Sequence, residues 1–419
     1  MHPTRFDASM GSCPCCFVVP LDVLRRLATS GNPDLAEAAG RTVSLTQSMV
    51  AFRAQLSTGA PSAAAVKREG RRRQVFDCKG FNDLPGDLVR SETDAAPNRD
   101  RAVNEAFDHA GTTWDFYKTI FGRESVDGNG KTLVSSVHYS QKYDNAFWNG
   151  QQMVYGDGDG VIFQRFTAAL DVIAHELTHG VTQFTAQLAY HDQSGALNES
   201  MSDVFGSMVK QWALGQSVNQ ADWLIGAAIM APGFKGRALR DMANPGTAYD
   251  DPRLGKDPQP GDMRDYVQTD ADNGGVHTNS GIPSRAFVLA AKEIGGNSWE
   301  KAGKIWYVTL TERLTGTADF AKCAAETVSV ARDLFPEDSS IAAKVANAWA
   351  DVGVLEEAPS TALLANIAGA YVIAPRVREL AIAPPPAAKK KKRAAPRAAA
   401  KTPRGAPKKK AKSARSRAR

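Results

Sequence analysis

Two histidines and a glutamate within five residues carry the sharpest chemistry in the chain. In DVIAHELTHGVTQF (171–184), His175 and His179 stand four apart. On a helix that spacing puts both imidazoles on one face, one turn apart, where both can reach a single ion. Glu176 adjoins the first histidine and can point at a water held by that ion. The competing reading is an amphipathic core helix with two incidental histidines, and two further segments weigh against it. SGALNESMSDVFG (194–206) sets Glu199 and Asp203 one turn apart on a second helix, with Glu199 20 residues after His179. A carboxylate there can complete a His2Glu zinc site whose fourth position is left to water. Asp203 can accept the remaining ring N–H of a ligating histidine and fix its tautomer. A solvated acidic face does not explain why Ala, Leu, Met, Val and Phe flank both carboxylates. In DNGGVHTNSGIPS (272–284), Gly274 and Gly275 allow a tight turn before His277, and Asp272 is near enough to orient that imidazole. A histidine so placed suits an oxyanion donor.

Elements must position these side chains. From about Arg71, the stretches QVFDC, LVSSVHYS and QQMVYGDGDGVIF alternate β-branched and aromatic residues with polar ones, between Gly, Asn and Asp, which predicts strands with tight turns. Near Phe166 the pattern becomes helical, over 167–184, 195–213, 283–294, 299–313, 318–334 and 339–351. Strands followed by helices predict an α+β fold of two lobes, strand-rich at 61–184 and mainly helical at 185–357, with the HExxH helix between them. Residues 1–60 are separable: FVVPLDVLRRLA leads into polar, Ala-rich sequence at helical spacing, and STGAPSAAA (57–65) reads as an exposed linker.

Composition sets the outer limits. The 419 residues are 43% hydrophobic and 23% charged, close to globular averages, which excludes wholesale disorder, collagen and coiled coil. The net charge of +6 conceals two parts. Residues 384–419 hold 9 Lys, 6 Arg and no acid, which leaves 36 basic against 45 acidic residues in the rest. Such a tail cannot form a packed core and reads as disordered. The connecting segment 358–383 holds an uncharged run to Pro375, but Asn366 and Gly369 interrupt its apolar centre, so no transmembrane segment is expected. Five cysteines, an odd number, suggest no disulfide framework. The apolar stretch Cys16 to Val19 is cut off by Pro20 and followed by Asp22, so no signal peptide is recognisable.

The chain from about Arg71 to Leu355 resembles the thermolysin family of zinc endopeptidases. NAFWNGQQMVYGDGDG (145–160), HELTHG, GALNES with its following SD, and DNGGVHTNSGI occur in the family's order. The short N-terminal segment is similar to the propeptides of the protealysin-like branch. By position, the resemblance implies one catalytic zinc ion on His175, His179 and Glu199. It makes Glu176 the general base and proton shuttle, and Tyr190 and His277 stabilisers of the oxyanion. Asp203 and Asp272 become partners of His175 and His277. Asn145 and Ala146 would hold the substrate backbone and Arg240 a substrate carbonyl. Phe163, Val172, Ile225 and Leu239 would line the pocket for the residue after the scissile bond, so cleavage before a large hydrophobic residue of a protein or peptide is expected. The family is largely secreted, which implies secretion; cytoplasmic residence stays open.

The sequence departs from the family at its calcium sites. Asp171 and Asp222 survive at the interior double site, while Lys210, Leu224 and Ala227 stand at the other three positions. A divalent ion wants several hard oxygens, so an ammonium paired with the two aspartates is expected in its place. Arg237 stands where a second site needs an Asp. GDGDG (156–160) resembles a calcium loop but reads better as a turn, and calcium is doubtful throughout. Residues 1–60 are expected to act as the chain's own inhibitor, with FVVPLDVL (17–24) in the cleft and Pro20 hindering a cleavable geometry. A thiolate from Cys13, Cys15 or Cys16 in the open zinc position is a second route to latency. The alternative function is polyanion or nucleic-acid binding, since the basic tail would neutralise phosphates without reading sequence.

Overall fold

The computed structural model describes residues 16–56 and 67–356, with side chains for all but 50–56. The linker, the connecting segment and the basic tail therefore fall outside the described residues.

The N-terminal segment supplies β1 (Cys16–Phe17), α1 (Leu21–Ala28) and α2 (Pro33–Leu56). Next come β2 (Arg73–Asp77), β3 (Asp87–Ser91), α3 (Arg101–Phe121), β4 (Leu133–Val137), β5 (Ala146–Trp148) and β6 (Met153–Tyr155). The two helices that carry the metal-ligand motif are α4 (Leu170–Gln183) and α5 (Asp192–Leu214). Short strands follow: β7 (Leu224–Ile225), β8 (Arg240–Asp241), β9 (Asp250–Asp251) and β10 (Gly255–Lys256). The chain then turns helical with α6 (Asp272–Asn279), α7 (Gly281–Ile294), α8 (Ala302–Val308), α9 (Phe320–Leu334) and α10 (Ser339–Asp351). This is the α+β order expected.

Six strands form one sheet in the order β1-β5-β6-β4-β2-β3. β4 runs parallel to β2 and β6, and the other pairs are antiparallel. The strand-rich reading of the N-terminal region misses α3, a 21-residue helix inside it. Its signals are local: Asp100 caps the N-terminus by accepting from the amides of Ala102 and Val103, and Gly122 ends it in the left-handed conformation, φ 68°. Its buried stripe, including Ala106, Phe107, Ala110, Phe116, Tyr117 and Ile120, packs on the sheet and on α4.

Helix α4 lies between α3, α5 and the sheet, and every residue from Asp171 to Thr182 is buried. Its ligand face is thus fixed by packing on all sides rather than by a solvent-facing stripe. The GDGDG segment is a turn in which Asp157 and one oxygen of Asp159 are engaged, while Asp159 Oδ2 is buried without a hydrogen-bond partner. Asp159 Oδ1 accepts from the amides of Val161, Ile162 and Phe163. Asp157 holds His138 Nδ1 at 2.8 Å, and the capping residue Asp100 meets its Nε2 at 3.1 Å.

That contact makes the histidine a cation joining the turn to the start of α3. The hydrogen bond that Asp157 accepts raises His138 to about 9, against partial burial and with help from the charges of Asp157, Asp100 and Asp77. The folded value lies above the unfolded one of about 6.5, so this stabilisation is complete below about pH 6.5 and is lost as pH rises through about 9. In urea titrations, His138→Gln should flatten the fall of the unfolding midpoint between about pH 7 and 10. An identical pH profile in the two proteins would show that this histidine contributes nothing.

Candidate active site

The site assembles from α4, α5, α6, β5 and β8. His175 and His179 project from the same face of α4, and their Nε2 atoms lie 3.0 Å apart. Glu199 on α5 approaches both, 3.4 Å from His175 and 3.5 Å from His179. One donor atom from each of the three residues fits within 4.8 Å of the others. The far side of each ring is committed. Asp203 takes the His175 Nδ1 proton at 2.8 Å, and Asn198 takes that of His179 at 2.8 Å, beside Ser202. Both Nε2 lone pairs are thereby turned inward.

This donor set fits a zinc ion. Two imidazole nitrogens and a carboxylate are a known zinc ligand set with room for a fourth ligand. Glu199 Oε2 and Glu176 Oε1 are buried with no hydrogen-bond partner in the protein, so each has capacity to spare. The pocket also attracts positive charge. Burial opposes a charge on His175, but Asp203 and Glu199 raise it to about 9; burial drives the neighbouring His179 down to about 3, against the pull of Glu199.

Glu176 is held over the cluster by the sheet. Its Oε2 accepts the amide of Trp148 in β5 at 2.9 Å. Burial raises its carboxyl well above the usual range, partly offset by His175. Opposite stand Tyr190 and His277. The Tyr190 hydroxyl donates to Glu199 and lies 3.2 Å from His277 Nε2. The turn expected before His277 is present, with Asn273, Gly274 and Gly275 all at positive φ. It lets both oxygens of Asp272 reach back, one to the His277 amide at 2.8 Å and one to Nδ1 at 2.6 Å. Burial opposes protonation of His277, but Asp272 and Glu199 outweigh it and raise it to about 10. The ring therefore donates from both nitrogens.

The N-terminal segment lies along this groove. β1 pairs antiparallel with β5, Phe17 opposite Phe147. The Val18 amide donates to Ala146 O at 3.1 Å. Asn145 grips Val19 at both ends: Oδ1 accepts its amide at 2.9 Å and Nδ2 donates to its carbonyl at 3.0 Å. Arg240 Nη1 donates to Val18 O at 2.9 Å, and His277 Nε2 meets Phe17 O at 2.6 Å. Val18 is fully buried in the same apolar cluster as Phe163, Val172, Ile225 and Leu239. Cys16 packs against Tyr190 and Val276 and is disulfide-bonded, so it has no thiolate to offer; Cys13 and Cys15 lie outside the described residues.

His175, His179, Glu199, Glu176, Tyr190, His277, Asn145, Ala146 and Arg240 thus meet around one groove, while Phe163, Val172, Ile225 and Leu239 lie in the large buried core that also holds Val18. Sequence reasoning missed the ties among them. Arg240 holds Asp203 through two hydrogen bonds, Nε to Oδ2 at 2.7 Å and Nη2 to Oδ1 at 2.8 Å. Asn198, the orienting partner of His179, was readable as the polar residue just before Glu199. Lys210 takes the place expected of it: its ammonium sits 2.9 Å from both Asp171 and Asp222, and also donates to Leu224 O. Burial opposes its charge, yet the two aspartates raise it.

Comparison with known proteins places this architecture. The family model for the thermolysin metallopeptidase catalytic domain matches residues 41–183, and that for the thermolysin metallopeptidase alpha-helical domain matches 186–354. An extracellular metalloprotease of Pectobacterium carotovorum subsp. carotovorum is 51% identical over 349 residues, covering 82% of this chain and 98% of that protein. Thermolysin of Alicyclobacillus acidocaldarius subsp. acidocaldarius is 41% identical over 288 residues, and the chain spans 50% of its length. Among solved structures, the precursor of protealysin, a metalloproteinase from Serratia proteamaculans, superposes with a TM-score of 0.74 at 50% identity. That match covers 81% of this chain and all of the other.

Proposed function

The chain belongs to the thermolysin metallopeptidase family, and from that premise we propose that it is a zinc endopeptidase made as a precursor, cutting before large apolar residues. The observation that carries this is the His175–His179–Glu199 donor set with the Glu176 carboxylate beside it. A zinc ion held there supplies Lewis acidity and an acidified water. Glu176 takes the proton released as the peptide carbonyl is attacked and returns one to the leaving amine. Its buried setting favours that double duty, because a carboxyl raised by desolvation accepts a proton readily. Tyr190 and His277 donate to the developing oxyanion; Asp272 holds the His277 ring in the donating orientation. Asn145, Ala146 and Arg240 fix the substrate backbone. Phe163, Val172, Ile225 and Leu239, all buried and apolar, favour a hydrophobic residue after the scissile bond.

Residues 1–60 act as the inhibitory prosegment in this reading, because their backbone uses the groups assigned to substrate. No described helix is long and apolar enough to cross a membrane. The extracellular relative supports secretion, which fractionation of cells and medium tests: accumulation inside the cell alone would refute it. Nothing found supports polyanion contact through the basic tail, and that contact forms no part of the reading.

Casein hydrolysis tests the assignment. The full chain should be latent until the 57–65 linker is cut, and a chelator should abolish the activity so released. Glu176→Ala should keep zinc yet lose roughly 100-fold or more of the activity, the scale of general-base catalysis. Retained activity in that variant, or full activity in the uncut chain, would contradict the base role or the latency respectively.

Calcium is not required at the interior site, where Lys210 already supplies the positive charge. Millimolar calcium should leave the melting temperature unchanged. Lys210→Ala should cost about 3 kcal/mol in urea denaturation, because it leaves the buried Asp171 carboxylate without its cation. A calcium-dependent rise in melting temperature of the unaltered chain would overturn this.

A further inference from the structure

The polarity of the N-terminal strand in the groove identifies a specific peptide bond. Three independent contacts set the register. His277 Nε2 meets the carbonyl oxygen of Phe17 at 2.6 Å, and the same ring nitrogen lies 3.2 Å from the Tyr190 hydroxyl. The next carbonyl, of Val18, takes the Arg240 guanidinium at 2.9 Å. The residue after that, Val19, is held at both amide and carbonyl by Asn145. Val18 is itself fully buried, in the large core cluster that also contains the residues assigned to the pocket beyond the scissile bond. The Phe17 ring is seated by a tilted contact with Phe147, centroids 5.1 Å apart, in a second apolar cluster with Tyr139 and Tyr143.

From this register, and resting on the endopeptidase reading above, we infer that the enzyme cuts its own Phe17–Val18 bond. The strand runs as a substrate runs, with one carbonyl at the oxyanion donors, the next at Arg240, and the side chain between them buried. Pro20, expected to hinder cleavage, lies two residues beyond the bond, at the N-cap of α1 with φ −60° and ψ 145°. Its missing amide is not among the donors the groove uses, so it leaves the Phe17–Val18 bond accessible. The reaction is a hydrolysis: the C–N bond between Phe17 and Val18 breaks, hydroxyl from water joins the Phe17 carbonyl carbon, and Val18 leaves with the proton as a free amine. The amine-side product keeps its contacts through Arg240 and Asn145. The cut alone therefore does not empty the groove, and release still needs the linker to be severed.

The test uses the full chain. Zinc-free protein is treated with zinc in 18O-labelled water and followed by mass spectrometry. The expected result is a fragment ending at Phe17 with one 18O in its new carboxylate, and a chain beginning at Val18. It should form at a rate independent of protein concentration, and at least about 100-fold more slowly in Glu176→Ala. A rate that rises with concentration would assign the cut to a second molecule and overturn the self-cleavage. Casein hydrolysis with Phe17–Val18 intact would sink this inference and leave the endopeptidase reading standing. Zinc binding with neither casein nor this bond cut would sink both. Hydrogen exchange on the zinc-free chain reads the register without catalysis: the Val18 and Val19 amides should exchange slowly, and fast exchange at both would show that the strand is not seated in this way.

Discussion

One buried carboxylate joins the metal-binding helix to the groove that holds peptide. Asp203 faces the His175 ring with one oxygen and engages Arg240 through both. All three side chains are withdrawn from water. An isolated charge in that setting is prohibitively costly, and a pair is tolerable only when its geometry is good and its remaining valences are met. Here the forked guanidinium supplies two of the contacts, the imidazole a third, and the guanidinium nitrogen left over reaches the Val18 carbonyl. Burial opposes the ionised form of Asp203, but Arg240 and His175 prevail and keep its carboxyl below the ordinary range. Orientation of the inner ligand and grip on the peptide are consequently not separate properties: displacing Arg240 leaves the buried Asp203 carboxylate with the His175 ring alone.

The elements that could be read in the sequence were those whose signal is local. The α4 and α5 motifs declare themselves because one helical turn fixes which side chains meet, and Gly274–Gly275 declare a turn because few other residues accept that backbone. Helix α3 had an equally local signal in Asp100, Gly122 and an apolar stripe; flanking strands obscured it. Other features had no local signal. β1 is two residues long and exists only because β5 offers it a partner. The pairing of Asp203 with Arg240, 37 residues apart, depends on β8 being carried beside α5 by loops whose paths composition does not specify. The apolar lining divides similarly: Ile225 and Arg240 face each other across the β7–β8 pair, whereas Phe163 and Val172 reach the same cluster from different elements.

Strand β5 explains why the groove takes extended peptide at all. Without β1 it would be the margin of a five-stranded sheet. An open margin displays a row of unmet amides and carbonyls, which is a hazard in most proteins and a recognition device in some. In this chain the margin runs past Glu176, whose carboxylate takes the Trp148 amide. A strand added there is brought to the acid and to the metal ligands by main-chain bonds that do not depend on its side chains. On the proposed reading, side-chain preference would then be left to the apolar cluster.

The Lys210 ammonium, set between Asp171 and Asp222, has a consequence that concerns supply. An ion drawn from solution stabilises a fold only to the extent that its concentration exceeds its dissociation constant, so dilution or a competing ligand weakens the structure by mass action. A cation attached to the backbone has a fixed local abundance that no medium can deplete. On the proposed reading the cluster around α5 would be indifferent to the mineral content of its surroundings, and a reagent that strips zinc from the histidines would have no second target there. Loss of catalysis and loss of structure become separable events.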